Sequence, residues 1–440
     1  MIVAIFIISM MAGLAIGLPI AVALLFCAVA TAMAMGGADA NPSIVARWLM
    51  NGTDQQTMMA LPFFIIAGEI MNRGGLTTRI IALCNIFVGR VRGGLGYVTI
   101  LACLMFASMV GSAVAACAAL GSILIPMMAK SGYSRPRSAA LVASSNLVAP
   151  IMPPSVPLIV FGIACANSGL FKSHPVSIKS LFMGGIAPAV YLSAVTAVVW
   201  FIVSRKEKNV GYDMPRPTFR EAARAFLEGI WALGLPVIIL VGLRSGLVTA
   251  TEAGVVASVY AIVIGALVYR ELTLRGLMEA LVSSAKMSAV VMFLAASAGV
   301  AAYYMMISGI PEILTSNLDV LVDNPTLLMV VMMLIVVVVG LAMDVVPSIL
   351  ILTPIMLPLV DAAGINPVVF GEVFVMMNVL GLTSPPVGPI LNVACATGKV
   401  KMDQIIGPTM PYFITQTALC FLLALFPALV EVPLNWDSVY

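Results

Sequence analysis

Two stretches of this chain share one frame. Residues 146–166 read NLVAPIMPPSVPLIVFGIACA, and residues 378–398 read NVLGLTSPPVGPILNVACATG. Asn146, Pro153, Pro154 and Pro157 fall on Asn378, Pro385, Pro386 and Pro389. Each copy lies inside a long apolar segment. A Pro-Pro pair offers no amide hydrogens and cannot continue a helix. In hydrocarbon such a break is tolerated only where protein buries it or where it lines a wet cavity. Matched breaks in the two halves of a membrane chain point to the binding site of a secondary transporter.

The membrane setting follows from composition. Of 440 residues, 62% are hydrophobic and 9% charged, against about 25% charged in ordinary soluble domains. The chain reads as an all-α polytopic membrane protein. A net charge of +3 leaves no basic surface for nucleic acid. The opening MIVAIFIISM has no basic n-region, so the first span is expected to begin almost at Met1, with no cleaved signal peptide. The seven cysteines lie in apolar surroundings without a CxxC spacing and read as small buried hydrophobes. His174 is the only histidine and sits in a polar loop. That argues against histidine metal sites and Ser-His-Asp chemistry, so no enzyme is expected. There is no GxxxxGK[ST] loop for ATP-driven transport.

About 20 apolar residues cross a bilayer as a helix. Residues 2–35 read as two spans and 55–72 as a third. Residues 76–92, with Arg79, Arg90 and Arg92, read as an amphipathic interfacial helix. The apolar stretch 93–129 has Arg90 and Arg92 before it and Lys130, Arg135 and Arg137 after it. A segment that starts and ends on one positive side is a re-entrant hairpin. The first break follows within 137–166, then a span at 181–204, where Trp200 suits an interface. The polar loop 205–225 carries six Lys/Arg and belongs in the cytoplasm. Spans are expected at 227–247 and 250–269, then a basic amphipathic stretch at 270–286 and a span at 287–308. No Lys or Arg occurs from 287 to 398. Inside that region, 326–361 reads as a second hairpin, opening outward, with Gly340 and Pro354 answering Gly111 and Pro126. The second break lies within 367–396, and 408–430 is the last span. The expected architecture is an inverted repeat, 1–204 and 226–440. Each half has about five transmembrane helices and one re-entrant hairpin.

The chemistry is expected at the breaks and hairpin tips. At 150–157 and 382–389 the prolines free backbone carbonyls, which suit a hard cation such as Na⁺. The competing reading is a kinked helix packed on its neighbours. At the first tip, Gly111, Ser112 and Ala113 can end two half-helices. Half-helix N-termini attract carboxylates. At the second tip, Asp344 is either a cation ligand or an N-cap, and the two roles are compatible. Asn146, Asn378 and Asn392 bond either substrate or neighbouring backbone. Glu69, Arg244, Glu252 and Glu372 read either as a proton path or as scaffold pairs and caps. Thr249 and Thr251 before Glu252 look like a helix start.

Several strings resemble the large membrane (DctM-like) subunit of tripartite ATP-independent periplasmic (TRAP) transporters. They are LPFFIIAGEIMNRGGL (61–76), GSAVAACAALGSILIPMM (111–128), APIMPPSVPLIVFG (149–162), WALGLPVIILVGLRSGLVTATEAG (231–254), GLAMDVVPSILILTPIMLPLV (340–360) and GLTSPPVGPILNV (381–393). The likeness spans nearly the whole chain and looks closest to members serving sugar acids such as diketogulonate. It implies membership of the ion-transporter superfamily, an elevator-type transport domain moving against a scaffold, and Na⁺-driven import of an organic acid. It implies a small four-helix membrane subunit and a periplasmic binding protein as partners, in a bacterial inner membrane. No cofactor is implied beyond Na⁺ as coupling ion.

Carried onto this chain, one sodium falls at Gly111, Ser112, Pro150 and Met152, and another at Asp344, Gly381, Thr383 and Ser384. Substrate contacts fall on Ser112, Ala113, Asn146, Pro154, Ser155, Asn378 and Ser384. Val110 stands where members often have the first serine of the tip, and Ala116 where many have an acid. Side-chain ligation at the first site is therefore weaker than at the second. The alternative is a stand-alone Na⁺/dicarboxylate carrier or Na⁺/H⁺ antiporter of the same superfamily.

Overall fold

The computed structural model describes residues 2–36, 41–54, 56–168, 176–205, 218–309, 319–384 and 388–431. The regular elements among them are helices. Residues 2–35 form two, α1 (Ile2–Ala15) and α2 (Ile20–Met35). Gly17, with φ +82°, turns the chain between them, and Pro19 precedes the second. At 1.5 Å per residue they are about 21 and 24 Å long. Each is shorter than a hydrocarbon core of about 30 Å, and they pack on each other as a hairpin. Next come α3 (Pro42–Asn51), α4 (Ala60–Arg73) and α5 (Leu76–Val88). The last was expected at the interface. It buries Leu76, Ile80, Ile81 and Cys84 against its neighbours, which is the apolar face such a helix needs.

The 93–129 stretch is α6 (Gly94–Val110) and α7 (Ala113–Lys130), joined by Gly111 and Ser112. The following segment is α8 (Arg135–Ser145), a 3₁₀ turn at Asn146–Val148, an irregular stretch, and α9 (Val156–Ser168). Then come α10 (Ile178–Ser204), α11 (Phe219–Arg244) and α12 (Ala250–Val263), which runs on as a π-turn at Ile264–Val268. The amphipathic stretch and span expected separately over 270–308 are one helix, α13 (Leu274–Ile307), N-capped by Thr273. Its apolar and basic parts share a single ladder because no Gly-Pro or polar break divides them. A short α14 (Asp319–Val322) leads to α15 (Pro325–Ala342) and α16 (Val345–Ala362), joined by Met343 and Asp344. The second interrupted segment is α17 (Pro367–Gly381) and α18 (Pro389–Gly398). The chain closes with α19 (Met402–Leu425) and α20 (Ala428–Glu431). Among the described residues, seven helices are long and apolar enough to cross a membrane.

Two packed groups emerge. In one, α4 packs on α12 and α13, and α13 on α2 and α3, with α11 bridging α5 and α12. Ser258 Oγ donates to the Phe63 carbonyl at 2.8 Å and ties α12 to α4. Glu69 belongs here. It pairs with Arg73 at 3.7 Å, and Arg73 reaches Glu279 on α13 at 2.8 Å. Glu252 accepts from the Thr249 amide at 2.7 Å in a capping box. The ion pair and the cap are the pairing roles expected of these two acids.

The other group holds both hairpins and both interrupted helices. Within each half, the first hairpin arm packs on the first part of the broken helix: α6 on α8, α15 on α17. Between halves, α7 packs on α18 and α16 on α9, while α19 lies on α8 and α10 on α17. Every one of these contacts maps onto its partner when the halves are exchanged. The helix ends also repeat: α7 starts at Ala113 and α16 at Val345, at the spacing that separates Asn146 from Asn378. This register pairs Ser112 with Asp344 and Pro126 with Pro358. It replaces the pairing with Gly340 and Pro354, because the capping residue, not the nearest glycine, fixes where the helix starts.

Trp200 does not face outward from the bundle. It is fully buried, and its indole N–H donates to the Gly93 carbonyl at 2.9 Å, fixing the start of the first hairpin. In the second half, Gly381 lies against Gly340, where a side chain would overlap the Gly340 carbonyl. Backbone cannot yield as a flexible side chain can, so overpacking here is expected to cost about 1–3 kcal/mol. Gly381→Ala should therefore lower the thermal midpoint of the detergent-solubilised protein. Gly407→Ala, on α19 where a Cβ meets nothing within 4 Å, should leave it unchanged or slightly raised.

Candidate functional site

Each hairpin tip lies close to the break of its own half. At the first, Gly111 ends α6 in the left-handed region, φ +61°. A Cβ there would stand 3.3 Å from the Pro154 carbonyl oxygen and 3.4 Å from the Val156 amide. Glycine thus lets the tip rest on the break itself. Ser112 begins α7, its Oγ accepting from the Ala115 amide at 3.4 Å. Ala113 is buried in the first turn. At the second, Gly340 and Gly381 bring α15 against α17 one turn before the tip. Asp344 caps α16, Oδ1 accepting from the Val345 amide at 2.7 Å, with its side chain exposed. The N-cap role is realised. Among the described residues no hydrogen bond joins Asp344 to the second break.

The first break is held by its own polar groups. Ser155 Oγ donates to the Pro150 carbonyl and accepts from the Leu158 amide at 3.2 Å. The Val148 carbonyl takes the amides of Ile151 and Met152. Met152 is half-buried, Pro154 and Ser155 buried. The Pro153–Pro154 bond is cis. The second break repeats the device. Ser384 Oγ donates to the Gly381 carbonyl at 2.6 Å, and Thr383 Oγ1 to the Leu380 carbonyl at 3.0 Å. Pro385 and Pro386 lie outside the described residues, as does His174. The expectation of freed carbonyls is therefore only half met at Pro150 and Gly381. Serine hydroxyls hold both, each using one of the oxygen's two lone pairs.

Asn146 and Asn378 form the clearest pair. Both are buried. Asn146 Nδ2 donates to the Val142 carbonyl at 2.8 Å, and Asn378 Nδ2 to the Phe374 carbonyl at 3.2 Å. In each the amide nitrogen bonds back one helical turn. Neither Oδ1 has a hydrogen-bond partner among the described residues, and the Cys103 thiol neighbours the Asn146 side chain. Two buried acceptors thus stand at matched positions just ahead of the two breaks, and a Cβ on Gly340 would lie 3.6 Å from the Asn378 Oδ1. The backbone-only reading of these asparagines accounts for their nitrogens and not for their oxygens.

The two interrupted helices also meet. Phe161 on α9 packs on Phe370 and Phe374 of α17, with centroids 6.1 and 6.0 Å apart. Its ring covers Gly371, where no larger residue would fit. Gln416 on α19 donates to the Ser144 carbonyl at 3.2 Å and the Thr196 hydroxyl at 2.9 Å. Gln416 escaped the sequence reading, because nothing in the local pattern of α19 marks it.

A membrane-embedded bundle with two interrupted helices, each backed by a hairpin tip, is the architecture of a secondary transporter rather than of an enzyme. The comparisons identify which kind. Residues 7–429 match the family model described as the tripartite ATP-independent periplasmic transporter, DctM component. The chain belongs to this family. It is 43% identical to the 2,3-diketo-L-gulonate TRAP transporter large permease protein YiaN of Escherichia coli (strain K12), over 99% of this chain and 100% of that protein. It is 31% identical to the sialic acid TRAP transporter large permease protein SiaM of Vibrio cholerae, over 93% of each. The fold is similar to the crystal structure of the YdaH transporter of Alcanivorax borkumensis, with TM-score 0.65, 12% identity, and 91% and 90% of the two chains covered.

Gly111→Ala should separate the first tip from the first break. A non-glycine residue in the left-handed region costs about 1–2 kcal/mol, and the added methyl crowds the Pro154 carbonyl. Reconstituted uptake should fall severalfold, while membrane-inserted protein, measured by immunoblot, changes little.

Proposed function

We propose that this chain is the Na⁺-coupled membrane component of a TRAP importer for an organic acid in a bacterial inner membrane. A small four-helix membrane subunit and a periplasmic binding protein complete the assembly. The observation that carries the reading is the asparagine pair, two buried Oδ1 atoms without a hydrogen-bond partner among the described residues, each just ahead of a matched break. A buried acceptor without a donor costs about 1–3 kcal/mol. A hard cation that prefers amide and carbonyl oxygens offsets this cost at both places.

In this reading one Na⁺ lies by Gly111, Ser112, Pro150, Met152 and Asn146. A second lies by Asp344, Gly381, Thr383, Ser384 and Asn378. The carboxylate of the substrate sits at the N-termini of α7 and α16, near Ser112, Ala113, Pro154, Ser155 and Ser384, where helix dipoles favour negative charge. Binding the anion offsets the charge of the ions, so the fully loaded carrier crosses at lower cost than a partly loaded one. The exchange of contacts between the halves supports an inverted repeat. An elevator would move the hairpin group against the α4–α12–α13 scaffold, across the seam where α4 and α5 meet α6 and α13 meets α9 and α16. The relatives' names support an organic acid, and the binding protein does most of the selecting among acids.

Uptake in proteoliposomes containing the small subunit and a candidate binding protein should require an inward Na⁺ gradient. Uptake that persists without the binding protein would instead favour a stand-alone carrier. Asn146→Ala and Asn378→Ala should each raise the half-saturating Na⁺ concentration about tenfold, the loss of about 1.4 kcal/mol of binding.

Asp344 gives a sharper test, since Asn caps a helix as well as Asp. Asp344→Asn should keep wild-type stability and lose Na⁺ affinity. Asp344→Ala should lose Na⁺ affinity and also about 1 kcal/mol of stability. Equal Na⁺ dependence in Asp344→Asn and the wild type would restrict Asp344 to capping.

A further inference from the structure

The group that none of these roles absorbs is Glu372. It lies on α17, ahead of the second break, and its side chain is completely buried. Neither Oε1 nor Oε2 has a hydrogen-bond partner among the described residues. The described ion pairs, Glu69 and Glu279 with Arg73, Glu271 with Arg79, Glu228 with Arg224, and Glu279 with Arg275, all lie elsewhere. Its surroundings are instead a notch made by two glycines of α10. A Cβ on Gly184 would meet Oε1 at 3.3 Å, and a Cβ on Gly185 would meet Oε2 at 3.1 Å. That same Gly185 position lies 2.6 Å from the Ile151 carbonyl oxygen. Ile151 belongs to the first break, between Pro150 and Met152. Gly185 thus has the acid of the second half on one side and a backbone carbonyl of the first break on the other.

A carboxylate cannot remain charged here. An unpaired charge in an apolar interior costs several kcal/mol, and among the described residues no cation pairs with it to offset that cost. A carboxylic acid that keeps its proton is different, because it carries one O–H donor. The Ile151 carbonyl is an acceptor across the notch, with no donor of its own recorded among the described residues. We propose that Glu372 is a proton-holding positioning residue. As a neutral acid it donates to the Ile151 carbonyl through the Gly184–Gly185 notch and so fixes the first break from the opposite half. This deepens the Na⁺-site reading above and rests on it. Partners one shell out from a metal typically change its affinity by 10–100-fold when removed.

The experiment compares Glu372→Gln and Glu372→Leu in reconstituted vesicles and adds infrared difference spectroscopy of the purified protein. Gln keeps an N–H donor in the same place, whereas Leu keeps the bulk and has none. The wild type should show the carbonyl stretch of a protonated, buried carboxylic acid, lost in both variants. Glu372→Gln should keep the wild-type half-saturating Na⁺ concentration. Glu372→Leu should raise it about tenfold, with maximal uptake per inserted protein less affected. If Gln is as impaired as Leu, an ionised carboxylate is needed and the proposal fails. If Leu matches the wild type, it fails as well. Should Glu372→Leu not insert, Gly185→Ala, whose methyl would press on the Ile151 carbonyl, must show the same Na⁺ defect. Wild-type uptake that ignores Na⁺ would sink the functional reading, and the infrared band would then decide the state of Glu372 by itself. Absence of the band overturns the proposal.

Discussion

Everything in the second packed group follows from the rule that backbone polar groups in hydrocarbon must find partners inside the protein. A helix meets the rule alone, but an interrupted helix does not. At 149–155 and again after Gly381 the helical ladder stops, and its orphan groups have to be met from elsewhere. Nearby hydroxyls meet some of them, as Ser155 does for Pro150 and Ser384 for Gly381. The hairpins crowd water and lipid away from the rest. That is why each hairpin meets its broken helix through a residue small enough to approach backbone, Gly111 on Pro154 in one half and Gly340 on Gly381 in the other. A larger side chain at any of these points would press on backbone that has little room to yield.

The same rule explains why the two halves interlock. An interrupted helix has four ends rather than two, and one neighbouring hairpin cannot cover them all. The first arm of each hairpin covers the first part of its own broken helix, and the second arm covers the second part of the other. Each half therefore buries its break only in the presence of its counterpart. The phenylalanines joining α9 to α17 and the glutamine joining α19 to α8 and α10 fasten this exchange.

The breaks were legible because proline leaves an unambiguous mark: it removes the donor and the helix together. The tips were legible because charge flanked an apolar stretch on one side, at Arg90 and Arg92, then Lys130 and Arg135. The ends of elements were less so. Residues 270–308 were divided at a change in polarity, but a helix answers to hydrogen bonds and caps, and α13 runs through. Pairing by nearest glycine misaligned the tips, since the caps Ser112 and Asp344 set the register. Trp200 looked interfacial by residue type, and only tertiary packing shows its N–H spent on Gly93. Glu372 could be seen as an acid in an apolar run. What a sequence cannot show is that Gly184 and Gly185, nearly half the chain away, leave it facing Ile151.

The hydroxyl-held carbonyls also bear on how a cation could be taken up reversibly. A carbonyl oxygen has two lone pairs, and a serine hydroxyl occupies one of them. The oxygens of Pro150 and Gly381 therefore do not have to be stripped of a partner to face an ion, and the break does not have to refold. The hydroxyl oxygen itself is a hard ligand that a small rotation turns toward the same point. Rigid backbone held by rotatable hydroxyls gives a site whose geometry is fixed and whose polarity adapts. A coupling site has this requirement, because it must be stable in the membrane both with and without its ion.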